Sequence, residues 1–112
     1  MKDIASRKER FLLDDFPIRL GGIAANLARV VSFAGNPANR QAVLDLLDES
    51  KWFIEWAAPT ADIDTAARLV EIQIQLACHE RDLLSGKDDI DLLVSNAAKW
   101  RDETLEMSGL LV

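Results

Sequence analysis

Two adjacent side chains near the end of the fourth predicted helix, Cys78 and His79, are the residues best suited to covalent chemistry. His79 has Gln75 four residues before it and Asp82 three residues after it, so the three side chains share one side of a helix. A histidine beside a carboxylate can act as a base, accept a phosphoryl group, or ligate a single metal ion or haem. A cysteine can act as a nucleophile or carry a covalent pigment.

The surroundings of this pair argue against each of these reactions. His79 is the only histidine, whereas a di-iron centre needs two Glu-x-x-His pairs and a zinc site needs at least three ligands. Cys78 is the only cysteine and has no second histidine to activate it. The sequence therefore predicts a solvated His79, a half-buried structural Cys78, no metal site and no cofactor. It favours a protein that is not an enzyme, and whether His79 accepts a phosphoryl group stays open.

A second group of candidates has apolar surroundings. Gln73 and Glu80 lie two turns apart within the apolar arc of the fourth helix, where a buried charge needs a partner. Gly21 begins a stripe of small side chains on the second helix, which allows close approach of another helix or leaves room for a ligand. These three residues are a candidate ligand site or buried polar network, the latter with Asn26 or Asn96.

Two tryptophans one helical turn apart, Trp52 and Trp56, indicate an interaction surface. They point away from the apolar stripe of the third helix, on the side of its carboxylates. Large aromatic side chains on a polar face need to be covered, because exposed patches of this kind mark contacts. The cover is either the N-terminal helix, whose small apolar face contains Ile4, Phe11 and Leu12, or a protein partner or second copy of the chain.

Four breaks divide the chain into the helices that position these residues. They lie at residues 14–17, 35–37, 59–62 and 85–89 and combine Pro or Gly with Asp, Asn or Ser, which cap and end helices. The segments between them have about 18, 20, 23 and 20 residues and near-helical periodicity. Helices of similar length joined by short loops return antiparallel to their neighbours. The sequence predicts one all-α domain over residues 1–112, an antiparallel up-down four-helix bundle preceded by a short N-terminal helix.

The fourth helix carries apolar residues around more than half of its circumference, so we expect it to be the most buried helix. Its first apolar face consists of Ile63, Ala66, Ala67, Val70, Ile74 and Ala77. Its second apolar face, displaced by more than a quarter turn, consists of Leu69, Ile72, Leu76 and Leu83.

The charge of the chain restricts its partners. A net charge of −6 and a pI near 4.7 repel phosphate backbones and anionic lipids, so we expect binding neither to nucleic acid nor to membranes. No apolar run approaches 18 residues, and a lone cysteine fits a reducing compartment. The sequence predicts a cytoplasmic protein whose partner is another protein or a second copy.

The sequence resembles two groups of known proteins. Residues 20–27 (LGGIAANL) resemble the segment after the active histidine of histidine phosphotransfer domains, which are helical bundles of this size, and the similarity extends over two helices to Leu47. Where that family has its phospho-accepting histidine this chain has Ile18, and the family's lysine is missing at Gly21, so the resemblance implies no phosphotransfer by that segment. The whole chain also resembles short, uncharacterised helical proteins predicted in cyanobacterial genomes, chiefly through residues 14–22 (DDFPIRLGG) and the following ANLAR, and this resemblance brings no assigned activity.

We interpret the chain as a non-enzymatic helical interaction module that self-associates or docks a protein through the face of Trp52 and Trp56. Two other classes stay open. One is a signalling bundle related to phosphotransfer domains, either using His79 or acting as a dock only. The other is a small-molecule or cofactor binder in the bundle interior near Gly21, Gln73 and Glu80.

Overall fold

Five α-helices make up most of residues 3–110, the part of the chain that the computed structural model describes. They are α1 (Ile4–Leu12), α2 (Phe16–Phe33), α3 (Arg40–Ala57), α4 (Ile63–Leu84) and α5 (Ile90–Ser108). Single 3₁₀ turns at Pro37–Asn39 and Ala58–Thr60 flank α3. The described residues contain no strand, so the predicted all-α class is confirmed. Three of the four predicted breaks lie between observed α-helices, and the first, at residues 14–17, extends into the first turn of α2.

Acidic side chains begin the last two helices. The carboxylate of Asp62 accepts a hydrogen bond from the backbone N–H of Thr65 (3.2 Å) at the start of α4. Asp89 accepts one from the N–H of Leu92 (3.0 Å) at the start of α5. Hydrogen bonds from Thr65 hold the pKa of Asp62 below its usual value. These caps satisfy backbone donors that have no partner within the helix, as the sequence predicts.

The second helix, α2, occupies the centre of the packing. Its backbone lies closest to α5 and next to α3, whereas α4 lies against α3 and comes near α5 mainly through side chains. Its buried side chains include Leu20, Ile23, Leu27 and Val30. Ala24, which is also buried, is small enough to allow close approach of a neighbouring helix.

The expectation that α4 is the most buried helix is wrong. Only its second apolar face, with Leu69, Ile72 and Leu76, is fully buried against the rest of the chain. Its first face turns outward, and Ile63 and Ile74 on it are 84 % and 56 % exposed. The physical reason is geometric: α4 has neighbours on one side only, so one apolar face is enough to fix it.

Ion pairs and amide contacts fix the register of α4. Arg68 donates two hydrogen bonds to the carboxylate of Glu103 on α5 (2.6 and 2.8 Å), and this guanidinium lowers the pKa of Glu103. Lys51 on α3 pairs with Glu80 (2.7 Å).

None of the helices within residues 3–110 combines the length and hydropathy needed to cross a bilayer.

Candidate interaction surface

The two tryptophans of α3 have different surroundings. Trp56 is only 6 % exposed and belongs to an aromatic cluster with Phe11 of α1 and Phe53 of α3. Phe11 stacks on Phe53 with ring centroids 4.5 Å apart and lies 5.7 Å from Trp56. The N-terminal helix therefore supplies the cover of Trp56, and Ile4 is a half-buried residue packed beside the core. Of the two covers that the sequence left open, Trp56 has the N-terminal helix, so this tryptophan is not part of an outward-facing surface.

Trp52 lies at the edge of the same cluster and remains half-buried. Its ring centroid is 5.9 Å from that of Trp56, and its other side borders a groove of about 440 Å³ between α3 and α4. The groove is also lined by Ile74 and Ala77 of α4, with Glu55 and Gln73 at its polar margin. Trp52 therefore connects the interior aromatic cluster to the outer face of α4.

The outer face of α4 carries an apolar stripe along its whole length. Its members follow one another in alternating steps of four and three residues, and only one, Arg81, is not apolar: Ile63, Ala67, Val70, Ile74, Ala77, Arg81 and Leu84. All seven are exposed to solvent. This spacing is that of a helix seam that packs against another helix. We refer to these residues together with Trp52 as the α4–Trp52 surface.

The two ends of this surface carry opposite charges. Asp62 and Asp64 lie at the N-terminal end of α4, and Arg81 lies near its C-terminal end. The guanidinium of Arg81 is mostly exposed, and its ion pair with Asp82 is long (3.4 Å). Between the ends, the carboxylate of Glu71 is paired with Arg68 (3.0 Å) on the same helix. The stripe therefore has two carboxylates at its N-terminal end and one guanidinium, paired with the adjacent Asp82, near its C-terminal end, with mainly apolar side chains in between.

His79 is not solvated, and the prediction that it is exposed is wrong. Only 7 % of it is accessible. Its Nε2 lies 3.1 Å from the side-chain amide nitrogen of Asn96, and its ring packs edge-on against Trp100, both on α5. Burial lowers the pKa of His79, opposed by the charges of Asp82 and Asp89. The ring is therefore held as a buried polar contact between α4 and α5.

The residues of the predicted interior site are not brought together. Gln73 donates hydrogen bonds to the carbonyl oxygen of Lys51 (3.1 Å) and to the carboxylate of Glu55 (2.9 Å). Glu80 also contacts α3, through its ion pair with Lys51. Gly21 faces Leu110 instead, which follows α5. A Cβ atom added at Gly21 would lie 3.2 Å from a terminal methyl carbon of Leu110. Gln73 and Glu80 thus tie α4 to α3.

The two asparagines considered for this network have other partners. Asn26 is buried and donates a hydrogen bond to Glu49 on α3 (3.0 Å), while its oxygen accepts one from Arg29 (3.0 Å). Arg7 of α1 is ion-paired with the same Glu49. This chain of contacts joins α1, α2 and α3 and was not predicted from the sequence, since its members lie far apart along the chain.

Metal binding and similarity to known proteins add no further site. Among residues 3–110, no three His, Cys, Asp or Glu side chains cluster in a way that could hold a metal ion. Comparisons with family models, curated proteins and solved structures find no match for this chain.

Proposed function

We propose that this protein is a non-enzymatic helical interaction module that binds another protein helix through the α4–Trp52 surface. The observation that carries the proposal is the exposed apolar stripe of α4 at four-and-three spacing. Single exposed apolar residues are ordinary, but a continuous row beside a half-buried tryptophan marks a contact site. The aromatic anchor at the edge of a groove is the feature that most often carries binding energy.

The shape of the surface favours a helix as the ligand. An amphipathic helix places its own apolar residues at the same four-and-three spacing, so its side chains interlock with those of the stripe. The groove beside Trp52, Ile74 and Ala77 would accept one large apolar side chain of that helix. The carboxylates around the stripe would form a polar rim at the edge of the bound helix, as in most protein interfaces.

The other two classes receive less support from the geometry. A phospho-accepting histidine must be open to its donor, whereas His79 is buried and its Nε2 contacts Asn96. An interior ligand site near Gly21, Gln73 and Glu80 would need these residues on one cavity wall. Gln73 and Glu80 both contact Lys51 on α3, whereas Gly21 faces Leu110, which follows α5.

The proposal includes the arrangement and location of the module. The contacts of α2 with α3 and α5, and of α3 with α4, support an antiparallel up-down bundle of the four long helices. The unpaired thiol of Cys78 supports a reducing compartment, and we propose the cytoplasm. The acidic net charge of −6 favours protein over nucleic acid or anionic lipid as the partner.

The test is binding of a fluorescently labelled amphipathic peptide whose leucines and alanines follow the same spacing. We expect its fluorescence anisotropy to rise with the wild-type protein and not with Ile74→Glu. Leu92→Glu is the matched control, because Leu92 is 51 % exposed and lies outside the stripe, on α5. Equal binding by all three proteins, or binding by none of them together with a monomeric wild type, would remove the proposed function.

A further inference from the structure

We infer that the partner of the α4–Trp52 surface is a second copy of this chain, bound with the two α4 helices antiparallel. This inference rests on the proposed function and names the occupant of the same surface. It is drawn from the distribution of charge along the stripe, which is complementary to itself in only one of the two orientations.

The antiparallel orientation pairs opposite charges. It brings Arg81 of each copy to the end of α4 that carries Asp62 and Asp64 in the other copy. The aliphatic stem of Arg81 can then lie on the exposed Ile63 while its guanidinium reaches the carboxylates. Because the arrangement is two-fold symmetric, each of these contacts occurs twice.

The parallel orientation pairs like charges. It would place Arg81 against Arg81 at one end and the pairs of Asp62 and Asp64 against each other at the opposite end. It would also align the two helix dipoles, whereas antiparallel helices place opposite partial charges side by side. Like charges across an interface select against an orientation even where they add little to affinity.

The size of the surface is sufficient for a reversible dimer. From Ile63 to Leu84 the stripe is about 32 Å long and about 10–12 Å wide at the usual helix dimensions. Two such stripes amount to about 640–770 Å², to which the two Trp52 grooves add, and this is the size of a weak, reversible interface rather than of a permanent one. The two copies carry their apolar middle sections, Val70 and Ile74, to the centre, where water is best excluded. We therefore expect a dissociation constant in the micromolar range.

Sedimentation velocity over a wide concentration range tests the second copy. The wild type is expected to shift from monomer to dimer, and Leu92→Glu to behave in the same way. Ile74→Glu should weaken the dimer by about a hundredfold or more, because each dimer loses two central apolar contacts and gains two buried charges. Its melting temperature, measured under conditions where the wild type is monomeric, should stay close to that of the wild type because Ile74 is already half-exposed in the monomer.

Charge reversal tests the orientation. Arg81→Glu should weaken an antiparallel dimer by about tenfold, and adding Asp64→Arg should restore it, because the exchanged charges again face each other. In a parallel dimer Arg81→Glu only replaces one like-charge pair by another, and the double variant gives no rescue.

A distance measurement provides an independent readout of orientation. A spin label at Ser85→Cys in a Cys78→Ser background lies roughly 13 residues from the dimer centre between Val70 and Ile74, so two labels in an antiparallel dimer are about 40 Å apart. In a parallel dimer they lie within about 20 Å of each other. The shorter distance would overturn the antiparallel inference.

The remaining outcomes separate this inference from the proposed function. A wild-type protein that stays monomeric but binds the amphipathic peptide through Ile74 overturns the second copy and leaves the interaction module in place. A dimer that tolerates Ile74→Glu overturns the inference, because the copies then meet elsewhere. A monomer that binds no peptide overturns both.

Discussion

The docking of α1 leads to a quantitative prediction for Phe11→Ala. Phe11 is 8 % exposed and is the only buried residue of the nine in α1. In a rigid core, truncation of a phenylalanine costs about 3–5 kcal/mol, because a cavity remains. Here α1 can detach from α3 instead of preserving a cavity, so the loss of global stability cannot exceed the free energy that docks α1.

That docking energy follows from the contacts. Burial of Phe11 contributes about 1.5–3 kcal/mol, and its ring contacts with Phe53 and Trp56 add about 0.5–1.5 kcal/mol each. The ion pair of Arg7 with Glu49 adds at most about 1 kcal/mol, because the Arg7 side chain is 42 % exposed and solvent screens the pair. Ordering the residues of α1 and its connection offsets a large part of this sum. We therefore expect Phe11→Ala to reduce the free energy of unfolding by about 2–3 kcal/mol, less than a rigid core would require.

The assay combines urea unfolding with acrylamide quenching of tryptophan fluorescence. In a Trp52→Phe background the remaining tryptophans, Trp56 and Trp100, are both buried, so quenching starts low. Detachment of α1 uncovers Trp56, and quenching should rise in Phe11→Ala while the helical circular dichroism decreases by about one short helix. Leu13→Ala is the control, because Leu13 follows α1 but is 81 % exposed. A loss of 3–5 kcal/mol with unchanged quenching would refute the reasoning and make α1 an inseparable part of the core.

Three further predictions concern stability. Burial lowers the pKa of His79, so as the pH falls the unfolded chain takes up a proton before the folded chain does. The contribution of neutral His79 to the free energy of unfolding is therefore complete above about pH 6.5 and is lost as the pH falls toward the lowered pKa. The urea midpoint should decrease from pH 8 to pH 5 for this reason, and His79→Gln should reduce the decrease. Asp89→Ala should cost about 1 kcal/mol in urea unfolding, because it removes the cap of α5, whereas Asp91→Ala leaves the cap in place. Gly22→Ala should stabilise the protein by about 0.5–1 kcal/mol, because alanine favours the helix more than glycine does. The site accepts the added methyl, which meets Phe11 at an ordinary contact distance of 3.9 Å; a lower thermal midpoint would contradict this.

Local signals predicted the helices well because the residues that end them act locally. Proline and the capping side chains of Asp62 and Asp89 work within three or four residues of themselves, so their effect is readable without tertiary structure. The large apolar residues of α2 that follow helical spacing, Leu20, Ile23, Leu27 and Val30, are all fully buried. The contacts of Asn26 with Glu49, and of Glu49 with Arg7, join residues on different helices, and no local pattern indicates them.

The burial of His79 shows how a neighbouring helix changes the environment of a residue. On its own helix His79 lies on the side of Gln75 and Asp82, which is the pattern of a solvated face. In the structure, α5 places Trp100 and Asn96 over the ring, and the amide nitrogen of Asn96 lies within hydrogen-bonding distance of Nε2. A histidine can be buried at such a polar position because one ring nitrogen and one amide are enough to satisfy it. Its helix alone therefore could not determine its exposure.

The two apolar faces of α4 explain why periodicity detects an interface but cannot assign it. The face with Leu69, Ile72 and Leu76 and the outer face with Val70 and Ile74 both have helical spacing, and both predict a packed surface. Which face is used within the chain depends on how α4 packs against α3 and α5. The inner face carries leucine and isoleucine, whereas the outer stripe alternates large residues with alanine and includes Arg81, a composition weaker than a core and stronger than a solvated surface. When a helix has two apolar faces and the rest of its domain buries only one, the other face indicates a binding partner. In α4 the face that stays exposed is the one beside Trp52.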